Sequence, residues 1–211
     1  GDAGFVPQQK AIPFAAGRAI AGAVIHSVPD SRAADFIVSY QGRTGVLYQD
    51  RMGGNYAARD LPELPSGAHH LRSGDFTGDG AQDFVFLLGR NASMVENLGA
   101  SWRAAKTVPS DGAFLFADFA NLGVWDWMSG GVLLAGGDAN FSQSREMATV
   151  PAMHALVAAD FNQDGKMDFA GVSRDGSILR YINQTDLANR WLRVRLRGVQ
   201  SPKVAQGTIV S

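Results

Sequence analysis

Hydrophobic positions along this chain fall into short runs that recur at nearly regular intervals. The runs are rich in β-branched and aromatic residues and are bounded by glycine, proline, asparagine or aspartate, which is typical of short strands joined by tight turns. No stretch of ten or more residues shows a convincing helical period. The pattern therefore predicts an all-β chain, with four inner strands near 20–25, 69–73, 114–117 and 155–159.

A second apolar run and then a glycine-containing or polar turn follow each predicted inner strand. A third strand is visible in most repeats, for example at 46–48 and 178–182. The second runs lie at 36–38, 84–88, 127–134 (interrupted by a Gly-Gly pair) and 169–172. The turns are predicted at 41–43, 89–91, 136–137 and 174–176.

These runs belong to a longer repeat unit. Each unit opens with an aromatic residue, continues through a polar strand to a proline, and then enters an apolar strand and a loop. The loops begin at 27, 75, 118 and 160, so the spacings are 48, 43 and 42 residues. Four short strands in such a period predict a β-propeller blade, whereas a stacked β-solenoid usually has a much shorter period. The aromatics are Phe5, Tyr56, Trp102 and Phe141, and the prolines are Pro13, Pro65, Pro109 and Pro151.

The fourth repeat lacks an obvious outer strand of its own. Residues 5–13 have the outer-strand pattern but no inner strand before them. They would either close the last blade of a four-bladed ring or belong to a preceding blade. We predict that residues 1–185 form about four blades of a larger propeller, because the end of the chain resembles a cut module.

Composition narrows the functional classes. The 211 residues are 45% hydrophobic and 18% charged with a net charge of -1, which fits a folded domain without an electrostatic footprint for nucleic acid. The chain has no cysteine, so disulfides, thiolate metal sites and a cysteine nucleophile are excluded. No run reaches the 18 or so apolar residues that a membrane span needs.

Two of the loops, 75–83 and 160–168, share the pattern D-F-x-x-D-G-x-x-D. Oxygen-bearing side chains at alternate positions, with glycine at the sharp turn, suit the six to eight oxygen ligands of calcium. We predict two calcium sites; the alternative is an Asx-turn that bonds only its own backbone. The predicted ligands are Asp75, Thr77, Asp79, the Ala81 carbonyl and Asp83, and Asp160, Asn162, Asp164, the Lys166 carbonyl and Asp168.

The other two loops are degraded copies. Loop 118–126 has Leu122 at the fifth position, so we predict that it bonds its own turn, and loop 27–35 keeps only its last residue, Asp35. An acidic set that recurs along the chain is better explained by blade architecture than by catalysis. No hydrolase, phosphate-loop, dinucleotide or zinc-protease motif occurs, so no catalytic residue is assigned.

Three further features have two readings each. His69 and His154 both lie six residues before the first aspartate of a loop, whereas His70 is out of that register. The pair would either bind a metal or simply be polar residues at strand ends. Trp125 and Trp127 are predicted to pack within a blade rather than to form a sugar-stacking platform. In the segment 190–197, Arg193, Arg195 and Arg197 alternate with Leu192, Val194 and Leu196, which predicts a half-buried strand or a surface for an anionic partner.

The two intact loops within blade-sized repeats resemble the FG-GAP/VCBS repeats of integrin-like β-propellers. Residues 189–198 are similar to the opening of the ASPIC/UnbV domain, which commonly follows such repeats in exported bacterial proteins, so we assign 186–211 to the start of that module. The resemblance implies an extracytoplasmic calcium-binding module for adhesion, ligand binding or assembly, with a protein or glycan partner. A carbohydrate-binding or polysaccharide-degrading propeller and an accessory subunit of a large exported or membrane-associated complex remain open.

Overall fold

The computed structural model describes residues 17–28, 33–52, 54–136, 141–147 and 150–186, together with Gly4 and Pro13. These residues form fifteen strands and no helix. They therefore contain no helix long and apolar enough to cross a membrane. The strands pair into four antiparallel sheets that follow one another along the chain. The predicted all-β fold is confirmed.

Each sheet is a simple meander in which consecutive strands are neighbours. Sheet I contains β1 (Arg18–Ile25), β2 (Asp35–Gln41), β3 (Gly45–Asp50) and β4 (Tyr56–Leu61). Sheet II contains β5 (His69–Gly74), β6 (Asp83–Leu88), β7 (Asn91–Asn97) and β8 (Trp102–Pro109). Sheet III contains β9 (Phe114–Ala117), β10 (Asp126–Ser129), β11 (Val132–Leu134) and β12 (Ser144–Glu146). Sheet IV has three described strands, β13 (Met153–Ala159), β14 (Asp168–Ser173) and β15 (Ile178–Tyr181).

This arrangement is that of β-propeller blades, and the four predicted inner strands correspond to β1, β5, β9 and β13. The predicted turn at 136–137 falls in the connection between β11 and β12, and its Gly137 lies outside the described residues. The apolar run 127–134 is two strands, because Gly130 and Gly131 adopt positive φ angles of 56° and 75° and form the hairpin turn. Gly136 instead follows β11 and donates its N–H to Asp126 Oδ1 at 2.8 Å.

Hydrophobic cores lie between the sheets, because the alternating side chains of each strand supply two different cores. Ile37 of sheet I and Phe84 of sheet II belong to the first core. Val85, the next residue of sheet II, belongs to the second core together with Trp127 of sheet III. Met128 of sheet III then packs in the third core with sheet IV. Each sheet is thus stabilised mainly by its neighbours.

The repeated aromatic residue at the start of the outer strand fills these spaces. Trp102 packs against Phe84 with ring centroids 5.3 Å apart, and Phe141 packs against Trp127 at 5.9 Å. Between sheets III and IV, the region near Tyr181 is instead a cleft of about 330 Å³. Residues 5–13, which were considered for the outer strand of sheet IV, lie outside the described residues except for Pro13. The module predicted at 186–211, with its arginine-rich strand 190–197, lies outside them except for Asp186.

The face of sheet IV that points away from sheet III is apolar and exposed. Val157, Val172 and Ile178 on this face are 57%, 37% and 82% exposed. The corresponding face of sheet I packs on sheet II through Ile37 and Leu47, which are fully buried. The last described sheet therefore presents the kind of surface that the earlier sheets cover with a neighbour.

Candidate metal-binding loops and an inner-strand cleft

The aspartate at the ninth position of every loop is buried at the start of the second strand. One of its oxygens accepts an N–H from the beginning of the loop, and the other accepts an N–H from the end of the third strand. The ninth-position aspartates are Asp35, Asp83, Asp126 and Asp168, and each is at most 3% exposed. This carboxylate therefore ties three parts of each sheet together, whether or not the loop keeps its other acidic residues.

Asp83 has the largest set of these bonds. Its Oδ2 accepts hydrogen bonds at 3.1 Å from the backbone N–H groups of Phe76 and Thr77 and from the Thr77 hydroxyl. Its Oδ1 accepts the N–H of Asn97 at 2.9 Å. Burial nevertheless raises the pKa of Asp83 to about 6, since the lowering effect of these bonds is smaller and Asp79 adds like charge. A positive charge nearby would relieve this buried carboxylate.

The same bonds recur in the other repeats. Asp168 Oδ2 accepts the N–H of Phe161 at 3.0 Å, and its Oδ1 accepts the N–H of Asn183 at 2.8 Å. Asp126 receives bonds from Phe119 and Gly136, both at 2.8 Å, and burial raises its pKa as well. In loop 27–35, Asp35 Oδ1 accepts the N–H of Asp50 at 2.8 Å and its Oδ2 accepts the N–H of Ser27 at 3.1 Å.

The first-position aspartate gathers the backbone of the loop around itself. Asp75 Oδ1 accepts the N–H groups of Gly78 and Asp79 at 2.7 and 3.1 Å, and its Oδ2 accepts that of Gly80 at 3.0 Å. Gly78 and Gly80 have φ angles of 78° and 87°, so the turn needs residues that tolerate the left-handed region. The loop backbone therefore turns tightly around the Asp75 carboxylate.

Loop 160–168 has the same curl. Asp160 accepts the N–H groups of Asp164 and Gly165 at 3.0 and 3.1 Å. The Asn162 amide donates to Asp164 Oδ2 at 3.0 Å, and Asp164 Oδ1 accepts the N–H of Lys166 at 2.9 Å. These bonds lower the pKa of Asp164, with the Lys166 N–H as the largest cause, so this exposed carboxylate is charged at neutral pH.

The donor chemistry of both intact loops fits calcium. Every predicted donor is an oxygen, and the first-position and fifth-position carboxylates lie on the same turn. Within the described ranges, no group of three acidic or histidine side chains converges into a preformed cage. The side chains at positions three and five are exposed or half-buried in both loops, so they are accessible for an ion. The structure thus contains the donors, held in part by backbone N–H groups.

Loop 118–126 bonds its own turn, as predicted. Asp118 accepts the N–H groups of Leu122 and Gly123 at 2.9 and 2.7 Å, and the Leu122 side chain is 57% exposed where an acidic ligand would stand. The Asn121 amide donates to the carbonyl of Gly165 at 3.3 Å, which links this loop to the intact loop of the next sheet.

Two asparagines that sequence reasoning passed over connect neighbouring sheets. The Asn97 amide donates to the carbonyl of Ser27 at 3.2 Å, and the Asn183 amide donates to that of Phe119 at 2.8 Å. Asn97 ends β7 and Asn183 lies two residues after β15, and the backbone N–H of each also bonds the ninth-position aspartate of its sheet. The equivalent positions of the two asparagines in their repeats could have indicated these bonds. A single polar residue at the end of a strand does not by itself predict a contact with another sheet.

The two tryptophans beside Asp126 have different environments. Trp127 is fully buried between Phe116 and Phe141, which confirms the predicted packing role. Trp125 is 44% exposed and makes an edge contact with Phe76 at 6.4 Å between ring centroids. Of these two tryptophans, Trp125 is the one with a ring exposed to a ligand.

The histidine pair inferred from the sequence is placed differently. His154 shares a cleft with His70, whereas His69 bonds the carbonyl of Gly67 through Nδ1 at 3.3 Å. The register between β5 and β6 shifts between His69 and Arg72, so counting residues back from the loop selects the wrong neighbour. We call this site the inner-strand cleft; its basic and aromatic residues are His70, Arg72, Phe114 and His154.

No protein-family model matches the chain, and no curated protein matches it. The chain is similar in structure to a lectin of Agrocybe aegerita that specifically recognises non-reducing terminal N-acetylglucosamine. The match has a TM-score of 0.51 at 15% sequence identity and covers 76% of this chain and 51% of the lectin chain. The chain thus spans about half the length of that lectin, and the likeness shows the fold alone.

Proposed function

We propose that this chain is an extracytoplasmic β-propeller module that binds two calcium ions and uses its surface to bind a protein or glycan partner. One observation carries the calcium proposal. Sheets II and IV each have a full set of oxygen donors at the same corner. Sheet I holds the equivalent corner with its buried aspartate alone, so the additional donors of sheets II and IV are not needed to form the corner. The ions would be held by Asp75, Thr77, Asp79, the Ala81 carbonyl and Asp83, and by Asp160, Asn162, Asp164, the Lys166 carbonyl and Asp168.

Bound calcium would neutralise the carboxylates that the turns bring together. Asp79 raises the pKa of Asp83, so an ion beside both would replace repulsion with attraction. The role of such an ion is to order the corner of a sheet. The assembly part of the proposal is supported by the exposed apolar face of sheet IV, and the extracytoplasmic setting by the resemblance to FG-GAP/VCBS repeats.

Removal of calcium by a chelator is expected to lower the melting temperature, and added calcium should restore it. Saturation at a hundredfold excess over the dissociation constant contributes about 2.7 kcal/mol for one site. In a chain of this size that corresponds to roughly 5–10 °C. Differential scanning calorimetry of metal-free protein, checked by elemental analysis, measures the shift. Metal-free protein whose melting temperature is unchanged by calcium would contradict the proposal.

A matched pair of variants separates metal binding from turn stability. Asp160 and Asp118 each accept two backbone N–H groups of their own loop, but only Asp160 has a full donor set. Asp160→Ala and Asp164→Ala should each remove about half of the calcium-dependent shift. Asp118→Ala should lower the melting temperature equally with and without calcium. Equal losses of the calcium-dependent part in Asp118→Ala and Asp160→Ala would show that the ion does not bind as proposed.

A second candidate function is glycan recognition, which is favoured by the exposed Trp125. Exposed aromatic faces stack on the apolar faces of sugars, and the structurally similar lectin recognises terminal N-acetylglucosamine. Trp125 is 44% exposed and is held edge-on by Phe76. The ring is therefore positioned without being covered by the sheet.

Binding to a glycan array that includes N-acetylglucosamine-terminated chains tests this candidate. If Trp125 carries the interaction, Trp125→Ala should weaken binding by about tenfold or more, since loss of one stacked aromatic costs on the order of 1–2 kcal/mol. Tyr56→Ala is not a suitable control because that ring packs on Phe36. Phe161→Ala is better, as Phe161 is 38% exposed on a different loop. An array without any bound glycan argues against the candidate.

A further inference from the structure

Residues from the inner strands of sheets II and IV, together with the start of sheet III, meet at the inner-strand cleft, which has a volume of about 220 Å³. His70 and Arg72 come from β5, His154 comes from β13, and Phe114 begins β9. No acidic side chain lines the cleft among the described residues. Two separate strands, β5 and β13, thus bring basic groups to one place, and β9 adds an aromatic ring.

Local distortion of the backbone places both histidines there. His70 has a φ of 52°, an uncommon value for a residue that is not glycine, and it lies in the register shift between His69 and Arg72. His154 lies in a second register shift, between Met153 and Ala155. A β-bulge re-aims a side chain, and bulges are frequent beside binding sites. Within the described part of the chain, neither imidazole makes a hydrogen bond.

The cleft has an excess of positive charge. Arg72 donates one N–H to the carbonyl of Leu71 at 2.9 Å, which leaves its other donors without a partner among the described residues. Asp111 directly precedes Gly112 of the cleft lining, but its carboxylate is paired with Arg90 at 3.4 Å and with Arg174 at 3.6 Å. A guanidinium beside two imidazoles disfavours a metal cation and favours an anion.

We propose that the inner-strand cleft binds an oxyanion, a carboxylate or sulfate group carried by a ligand the size of one sugar unit. The Arg72 guanidinium would supply parallel donors to two oxygens, and protonated His70 and His154 would supply further donors and charge. Phe114 provides an apolar wall for the rest of the ligand. The cleft is smaller than the roughly 300–1,000 Å³ of pockets that hold drug-sized molecules, which sets the size. The site is independent of the calcium loops.

Binding should tighten as the pH falls, because an anion favours the protonated imidazoles. Burial, His69 and Arg72 all lower the pKa of His70, so this imidazole loses its proton more readily in the free cleft. A bound anion would favour the protonated form again. His154 also lines the cleft, and Asp111, which precedes the lining residue Gly112, is paired with Arg174. We expect affinity to fall roughly tenfold between pH 6 and pH 8.

The test is a titration with sodium glucuronate, sodium sulfate or neutral glucose at constant ionic strength, followed by the imidazole C2–H resonances. The chain has only four histidines, and His26, whose Nδ1 is bonded to the carbonyl of Ala33 at 2.8 Å, is an internal control. Saturable shifts of His70 and His154 with an anion, but not with glucose, support the proposal. A response to glucuronate alone identifies a carboxylate ligand, to sulfate alone a sulfate ligand, and to both a general oxyanion site.

Substitutions give the second arm of the test. Arg72→Gln should weaken anion binding by at least tenfold in isothermal titration calorimetry, whereas Arg59→Gln, an exposed arginine on β4, should leave it unchanged. Should Arg72→Gln fail to fold by its urea transition, His154→Gln takes its place with an expected loss of about fivefold. The proposal is overturned by the absence of a saturable shift with both anions, or by a folded Arg72→Gln variant that binds as well as the parent.

Discussion

Replacement of the buried Asp83 by alanine is expected to destabilise the protein by about 3–5 kcal/mol even when calcium has been removed. The substitution leaves three backbone N–H groups, those of Phe76, Thr77 and Asn97, without their acceptor at a buried corner. Each buried donor left without a partner costs about 1–3 kcal/mol, and partial entry of water keeps the sum below the maximum. The measurement is the urea midpoint in the presence of chelator.

Asp79→Ala is the matched control, because Asp79 lies on the same loop and is exposed. In chelator it should cost less than about 1 kcal/mol, as is usual for surface positions. Asp83→Asn should fall between the two, since the side-chain amide keeps one acceptor but turns an NH₂ group toward an N–H donor. If Asp83→Ala and Asp79→Ala had the same midpoint, the ninth-position aspartate would not hold the corner together.

Truncation of Trp127 to alanine is expected to cost about 3–5 kcal/mol, the range for large aromatic residues in a core. The ring is fully buried and packs at 5.3 Å on Phe116 and at 5.9 Å on Phe141, so its loss opens the core between sheets II and III. Differential scanning calorimetry and urea unfolding both report the change. If Trp127→Ala had the same melting temperature and urea midpoint as the parent, the core would have collapsed around the gap.

Two comparisons make the Trp127 result specific. Trp125→Ala, two positions earlier, removes an indole that is 44% exposed and should cost about 1 kcal/mol or less. Trp127→Phe should cost much less than Trp127→Ala, because the indole Nε1–H of Trp127 is buried and has no acceptor within the described part of the chain. A phenyl ring keeps the aromatic contacts and removes that unpaired donor. A larger loss in Trp127→Phe than in Trp127→Ala would refute this explanation.

The sheet architecture was predictable because its signals are local. Strand residues alternate and turn residues are distinctive, so the four inner strands could be located from the repeat alone. The hairpin of the third repeat was harder to locate, because 130–131 and 136–137 are both glycine pairs and only the pairing of β10 with β11 shows that 130–131 forms it.

The candidate site was less predictable because its partners are distant in sequence. The link from Asn183 to Phe119 spans 64 residues, and nothing in the composition of either segment indicates it. The cleft histidines were mispaired because a β-bulge changes the register by one residue, and no residue type is diagnostic of a bulge at His70. The two D-F-x-x-D-G-x-x-D loops could be located from spacing, but spacing alone does not show that their ninth-position aspartates are buried and accept backbone hydrogen bonds.

The burial of the ninth-position aspartate has a consequence for how such repeats diverge. Since this one residue holds the corner together through backbone hydrogen bonds, substitutions at the outer positions of a loop would change the proposed ion binding and leave the sheet intact. Ser27 and Leu122 stand at such outer positions in loops that keep the buried aspartates Asp35 and Asp126. Under the proposed calcium binding, the number of bound ions is therefore separate from the number of sheets, and dependence on calcium would change one corner at a time.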